Sequence, residues 1–184
     1  IGNLQGVIFE NWEQCDEIPK DAEFICYALD FGFTNSKTGF ISVWKHGDYI
    51  YYDELIYKTQ LTNTLIIKEL RELNVSEYDE IIADSAEPKS IADLQNEGFN
   101  VFPAKKGPDS VRASIDILQR FKLRVTKRSV NMIKEFRGYR WKVDKNGKAL
   151  GEPVKENDHL IDPALYAGLN KLANNFTMDF ATSK

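Results

Sequence analysis

Apolar and polar positions alternate along this 184-residue chain with two different spacings, and each spacing predicts a different element. The run Phe24-Ile25-Cys26-Tyr27-Ala28-Leu29 is unbroken apolar and ends on a carboxylate, Asp30, which predicts a buried strand with a charged tip. From Thr38 to Tyr57, β-branched and aromatic residues flank the turn Lys45-His46-Gly47-Asp48, predicting an antiparallel hairpin. Over 60–73 the spacing changes: Leu61, Leu65, Ile66, Leu70 and Leu73 form a helical stripe, with Lys68, Arg71 and Glu72 outside it.

The strand-then-carboxylate pattern recurs at Ile81-Ile82-Ala83-Asp84, followed by a helix opened by Pro88 and closed near Gly98. A short strand precedes Pro103. A helix then places Val111, Ile115 and Leu118 on one face, with Asp109 or Ser110 as its cap. Lys122–Thr126 reads as a small edge strand, and 129–138 as a helix capped by Ser129 and stopped at Gly138. Tyr139, Trp141 and Val143 alternate with polar residues before Asn146-Gly147, predicting a β-hairpin over about 139–154. A last helix, from about Asp162 to Phe176, aligns Leu165, Leu169, Leu172 and Phe176, and 177–184 reads as a flexible tail. The element order predicts an α/β fold, a mixed β-sheet flanked by helices with an extra hairpin, in one domain over 24–176. Residues 1–23, acidic, weakly patterned and beginning at Ile1 rather than Met, read as a connector from something upstream.

A carboxylate at the tip of a core strand loses hydration and needs a partner. In such sheets, sites gather at the carboxyl ends of the strands, which is where Asp30 and Asp84 fall. If the two strands are neighbours, the paired negative charges call for a cation, and hard divalent ions prefer oxygen ligands of this kind. A third contributor is expected from Asp158, His159 and Asp162, crowded at the start of the last helix; Asp162 before Pro163 also reads as an ordinary N-cap. Two divalent ions held by such carboxylates can activate water and stabilise the leaving oxygen in phosphodiester cleavage. The imidazole of His159 could orient the water, relay a proton or help hold an ion.

Net charge is −4, but it is unevenly placed: residues 105–148 carry 14 Lys and Arg against 4 Asp and Glu, whereas the remainder carries 10 against 24. A basic segment beside a carboxylate-rich one suits a polyanion surface next to a cation site, although basic runs often only solvate helix faces. Cys15 and Cys26 form no C-x-x-C pair and stand near no His cluster, which argues against a zinc site or disulfide framework and suits a reducing compartment. Apolar runs reach only about six residues, against roughly 20 for a membrane span, so no membrane partner is expected.

Asp30-Phe31-Gly32-Phe33-Thr34 admits two further readings. The kinase Asp-Phe-Gly stands without the catalytic-loop and glycine-rich signatures it requires. An actin-like ATPase also uses Asp-x-Gly-x-Thr, but needs further glycine-rich phosphate loops that are not apparent, and there is no Walker-type loop.

Taken together, "YALDFGFTNSKTGF", "IIADSAEPKSIADLQNEGFNVFPAKKGPDSVRASIDIL" and "DHLIDPALYA" resemble, over about 24–170, the C-terminal nuclease domain of tailed-bacteriophage large terminase subunits, of the SPP1-like type found in phages of Gram-positive bacteria. The resemblance implies an RNase H-like fold and a metal-dependent endonuclease that cuts concatemeric viral double-stranded DNA when packaging starts and ends. It makes Asp30, Asp84 and Asp162 a metal-binding triad for two Mg²⁺ or Mn²⁺ ions and His159 a fourth active-site group, leaving Asp158 between a cap and a supporting role. It also implies a packaging ATPase domain upstream, portal and small terminase subunit as partners, and the cytoplasm of the infected host as location. In that setting Lys105, Lys106, Arg112, Arg124, Lys127, Arg128, Arg140 and Lys142 become candidates for DNA backbone contacts, with the 139–154 hairpin steering DNA. Pro163 stands where family members often carry Ala, a departure that bears on how His159 is oriented. The reading from another class is a catalytically silent RNase H-like module that binds DNA or a partner.

Overall fold

The computed structural model describes residues 6–176. Seven strands form one sheet: β1 (Trp12–Cys15), β2 (Glu23–Asp30), β3 (Thr38–His46), β4 (Tyr49–Lys58), β5 (Glu80–Ala83), β6 (Asn100–Pro103) and β7 (Lys122–Thr126), in the order β1-β7-β4-β3-β2-β5-β6. The β2-β3-β4 meander is antiparallel, and the pairs on either side of it are parallel. Helices α1 (Asn63–Glu72), α2 (Pro88–Asn96), α3 (Ser110–Leu118), α4 (Val130–Gly138) and α5 (Ile161–Ala167) flank the sheet, and β8 (Trp141–Val143) with β9 (Ala149–Pro153) makes a separate hairpin. Two apolar clusters result. The larger joins β2–β4 and β7 to α3, α4 and α5, and the smaller packs α1 and α2 beside β5 and β6. This is the expected mixed sheet flanked by helices.

Three sequence expectations change. Lys122–Thr126 is an interior strand, because residues 12–15 pair parallel with it and take the edge themselves. The expected connector therefore contributes to the domain: Ile8 and Phe9 are buried, and Phe9 and Trp12 pack on Phe136 with ring centroids 5.5 and 5.3 Å apart. Period-2 patterning is weak in Trp12-Glu13-Gln14-Cys15 because a solvent-facing edge strand can be polar on both sides. Leu65 is exposed, and α1 buries Ile66, Ile67 and Leu70 instead. The expected tail, 177–184, lies outside the described residues, as does the Phe176 side chain.

Neither expected side-chain cap forms, and that of α4 is replaced. Ser129 and Asp109 sit at the N-cap positions of α4 and α3, but neither side chain caps its helix. The Ser129 hydroxyl accepts from the Glu54 amide on β4 and joins Thr126 and Asp53 in a buried polar cluster. In exchange, the Glu54 carboxylate accepts from the Asn131 and Met132 amides (3.0 and 2.9 Å), so a strand residue far away in sequence supplies the cap.

The same cluster explains part of the charge asymmetry. Arg124, Lys127 and Arg128 face Glu13, Asp16 and Glu17 of the N-terminal segment at 3.3, 2.6 and 2.9 Å, forming a ladder across the β1-β7 edge. Arg128 also grips Asp53 with two hydrogen bonds of 2.8 Å. Arg112 stacks 5.1 Å from the Trp141 ring and Lys142 pairs with Glu152, both within or against the hairpin.

Candidate metal centre

Strand β2 lies between β3 and β5, with Ala28 opposite Ile82 and Leu29 opposite Ala83 in the parallel β2-β5 pair. The Asp84 amide continues that ladder by donating to the Leu29 carbonyl at 3.1 Å. Asp30 and Asp84 thus emerge at the carboxyl ends of adjacent parallel strands, as the sequence pattern requires. On the other side of β2, Asp30 is in register with Gly39 of β3. A Cβ on Gly39 would lie 1.9 Å from the His159 carbonyl oxygen, so only glycine lets the 158–160 segment cross the sheet here.

That crossing places His159 against Asp30, Nδ1 to Oδ2 at 3.4 Å, while the Tyr166 hydroxyl reaches Asp30 Oδ1 at 3.5 Å from one α5 turn beyond. Asp30 is 9% exposed. Burial, and then Asp84 and Asp158, push its pKa up, while the hydrogen bond from His159 pulls it down. His159 in turn is held more basic, chiefly by Asp30. Burial first and the nearby carboxylates second keep the Tyr166 phenol protonated, which suits it as a donor to Asp30.

Asp162 is in the first turn of α5, and its carboxylate does not cap the helix. The cap comes from Glu135 on α4, whose Oε2 accepts from the Leu160 and Ile161 amides at 2.7 and 2.9 Å. This overturns the N-cap reading of Asp162, with Pro163 simply occupying an early helical position that needs no amide donor. Freed from capping, Asp162 has a pKa pushed up to about 7, by burial first and then by Asp158, with Asp30 adding to it and Lys155 opposing. The charges of Asp84 and Asp158 bear on Asp30, and those of Asp158 and Asp30 on Asp162, which puts the four carboxylates in one electrostatic neighbourhood.

Two lysines balance that charge. Lys106 makes a short contact to Asp84 Oδ1, which also accepts from the Ala86 amide at 3.0 Å. Lys155 sits 3.5 Å from both Asp158 and Asp162. Sequence reasoning missed Lys155, Glu135 and Tyr166, whose roles depend on burial and on segments distant in the chain. The Asp158 Oδ2 atom is buried and meets only the Lys155 ammonium, at 3.5 Å. Among the described residues no group of three His, Cys, Asp or Glu side chains stands close enough to enclose one ion, and ammonium groups engage Asp84 and Asp162. The donor chemistry nevertheless fits a hard divalent cation: four all-oxygen carboxylates, Asp30, Asp84, Asp158 and Asp162, stand against two ammonium groups and one imidazole. The loop after Asp30 closes on itself, the Thr38 hydroxyl bonding both the amide and the carbonyl of Gly32, and a Cβ at Gly32 would lie 2.4 Å from the Lys37 carbonyl oxygen, which accounts for the glycine without a nucleotide.

Of the basic candidates, Lys105 and Lys106 line a cavity of about 200 Å³ beside Asp162 and Tyr166. Arg140 is exposed near the base of the hairpin.

The family model described as the terminase RNase H-like domain matches residues 30–168. The chain is 36% identical over 177 residues to the large terminase subunit of Bacillus phage SPP1, covering 88% of this chain and 41% of that protein. It is 31% identical over 142 residues to the PBSX phage terminase large subunit of Bacillus subtilis strain 168, covering 76% and 33% respectively. It therefore spans well under half the length of either relative. Among solved structures, the nuclease domain of the SPP1 large terminase, with bound Mn, superposes with a TM-score of 0.76 at 29% identity, covering 88% of this chain and 97% of that one. The family match takes in Asp30, Asp84 and Asp162 and strands β3 to β7 of the sheet, and the chain belongs to the RNase H-like domain family of large terminase subunits.

Proposed function

We propose that this domain is a metal-dependent endonuclease that cleaves concatemeric viral double-stranded DNA at the start and end of packaging. The observation that carries this reading is that Asp30 and Asp84 end adjacent parallel strands while Asp162 lines one cavity with Lys106, which pairs with Asp84, and Tyr166, which reaches Asp30. The Mn-bound nuclease domain of the SPP1 relative supports a divalent ion. Asp30, Asp84 and Asp162 would hold two Mg²⁺ or Mn²⁺ ions, with Asp158 close behind. Two ions there would supply an activated water and charge stabilisation at the leaving oxygen.

The chain's own residues do the rest. Tyr166, donating to Asp30, fixes the orientation of that carboxylate and covers it from water. His159 faces Asp30 through Nδ1 at 3.4 Å and, held basic by that contact, is placed to take up or deliver a proton at the site's edge. Glu135 anchors the start of α5 and so fixes Asp162 relative to β2. Lys105, Lys106 and Arg140 form the DNA-facing charge, with Arg112 and Lys142 contributing through the hairpin. Arg124, Lys127 and Arg128 belong to the N-terminal ladder and contribute only long-range attraction. In the full protein we place an ATPase domain before this one, with portal and small terminase subunit as partners in the host cytoplasm; no helix among the described residues is long and apolar enough to cross a membrane.

Linearisation of supercoiled plasmid with Mg²⁺ or Mn²⁺ tests the reading. Asp30→Asn, Asp84→Asn and Asp162→Asn should each lower the rate by at least about 100-fold, the order expected for loss of charge stabilisation at a reacting phosphate. A parent protein that binds DNA without cutting it would make the domain a silent binding module, and Asn variants as fast as the parent would remove these carboxylates from the chemistry.

A further inference from the structure

Lys106 and Lys155 approach the carboxylate neighbourhood from different segments, one from the loop after β6 and the other from the segment after β9. Each ammonium lies on a carboxylate that the proposed function gives to a metal: Lys106 on Asp84, Lys155 between Asp158 and Asp162. Both side chains are about half exposed, at 45% and 54%, whereas Asp84, Asp158 and Asp162 are only 16%, 14% and 19% exposed. The carboxylates are thus held in place while the cations come in on long flexible stems from the solvent side. Both lysines also line the same cavity, about 200 Å³, whose wall includes Lys105, Ser110 and Tyr166. Lys106 lies 5.8 Å from the Tyr166 ring centre, in reach of the aromatic face as well as of Asp84.

A bound divalent ion and an ammonium cannot share one carboxylate cheaply, since the two positive charges repel at contact distance. Arrival of an ion must therefore release the lysines. A lysine stem pivots easily, and the cavity beside both lysines carries Lys105, Lys106 and Lys155 against the one carboxylate of Asp162 and is bordered by Ser110. Those groups suit a phosphodiester, whose oxygens accept from ammonium and hydroxyl donors.

We propose that Lys106 and Lys155 are exchange cations: without metal they neutralise Asp84, Asp158 and Asp162, and once divalent ions displace them they bind, in this cavity, a DNA phosphate next to the one being cut. Metal and DNA then bind cooperatively, because each lysine released by an ion becomes a phosphate ligand, and the coupling is reciprocal. This rests on the metal reading above and adds to it the residues that link ion to DNA.

The test measures binding rather than cleavage. Mn²⁺ affinity is determined by calorimetry for the parent and for the Lys106→Met/Lys155→Met double variant, which keeps the apolar stems; thermal melting verifies that both are folded. Duplex DNA affinity is determined by fluorescence anisotropy with chelator or with Ca²⁺, whose loose coordination disfavours in-line cleavage. In the parent, Ca²⁺ should tighten DNA binding by about fivefold or more, within the usual range of site coupling. The double variant should bind Mn²⁺ several-fold more tightly than the parent and lose most of the Ca²⁺ effect on DNA. Mn²⁺ binding by the double variant that is equal to or weaker than the parent's, or an undiminished Ca²⁺ effect, overturns the exchange while leaving the metal site standing. A parent that binds no Mn²⁺ overturns both.

Discussion

Gly39 stands directly across the β2-β3 ladder from Asp30, and the space where its side chain would be is filled by the backbone of His159. The missing Cβ is what lets the α5 entry reach the strand-end carboxylate. Gly39→Ala puts a methyl 1.9 Å from a carbonyl oxygen, so the 158–160 segment must retreat from Asp30. The expected cost is about 1–3 kcal/mol or more in chemical denaturation, the usual penalty of overpacking, together with loss of metal binding. Gly138→Ala, where a Cβ meets nothing within 4 Å, is the control and should be nearly silent. Equal stability and equal Mn²⁺ affinity in the Gly39 variant would mean that the segment adapts without consequence.

Glu135 makes stability depend on pH. Its carboxyl is buried, its Oε1 has no hydrogen bond, and burial pushes its pKa up to about 7 against the opposing pull of the Leu160 and Ile161 amides. Between about pH 4.5 and pH 7 the folded protein holds a proton that the unfolded chain has lost, so the stabilisation present below that window disappears as pH rises through it. The loss is on the order of 3 kcal/mol from this group. Metal-free protein should therefore show a falling denaturation midpoint from pH 4.5 to 7. Glu135→Gln should flatten the profile only in part, because Asp30 and Asp162 titrate in the same direction. A profile unchanged by the substitution would contradict a buried carboxyl at this position.

The β1-β7 ladder should divide into one strong and two weak links. Arg128→Ala leaves Asp53, 8% exposed, without its two guanidinium bonds and should cost about 3–5 kcal/mol. Arg124→Ala and Lys127→Ala each remove a pair whose acidic partner is largely exposed, and should cost no more than about 1 kcal/mol. Urea denaturation of the three variants separates them. Similar costs for all three would mean that Asp53 is adequately held by Thr126 and Ser129 alone.

DNA affinity should depend on the free basic groups rather than the ladder. Lys105→Gln and Arg140→Gln should each reduce the slope of log K against log salt by about 0.9, the value for one phosphate contact on duplex DNA. Arg124→Gln should leave that slope nearly unchanged, since Glu13 already opposes its charge. Binding measured across a salt series decides it, and a slope indifferent to Lys105 and Arg140 would remove them from the interface.

Several parts of the site were legible because they follow from local pattern. Two apolar strands ending on Asp30 and Asp84 state their own positions, since a charge at the end of a buried run has few places to go other than a strand tip. The helix beginning near Asp162 and the hairpin around Asn146-Gly147 were equally local, resting on helical periodicity and on turn chemistry. The two lysines nearest the carboxylates show where local pattern ends: the sequence points to Lys106 as a DNA contact but not as a partner of Asp84, and Lys155 stands in no motif.

By itself, then, the sequence determined the two strand-end aspartates, the helices and every sheet strand but β1, because hydrophobic periodicity and turn residues act over a few neighbouring positions and Trp12–Cys15 carries no such pattern. The tertiary structure alone decided that Glu54 and Glu135 cap distant helices, that Glu13, Asp16 and Glu17 bring a polar N-terminal strand onto β7, and that Gly39 yields its place to His159. Each of these pairs residues far apart in the chain, and which carboxylate meets which amide or cation depends on how the sheet and helices pack rather than on any spacing along the sequence.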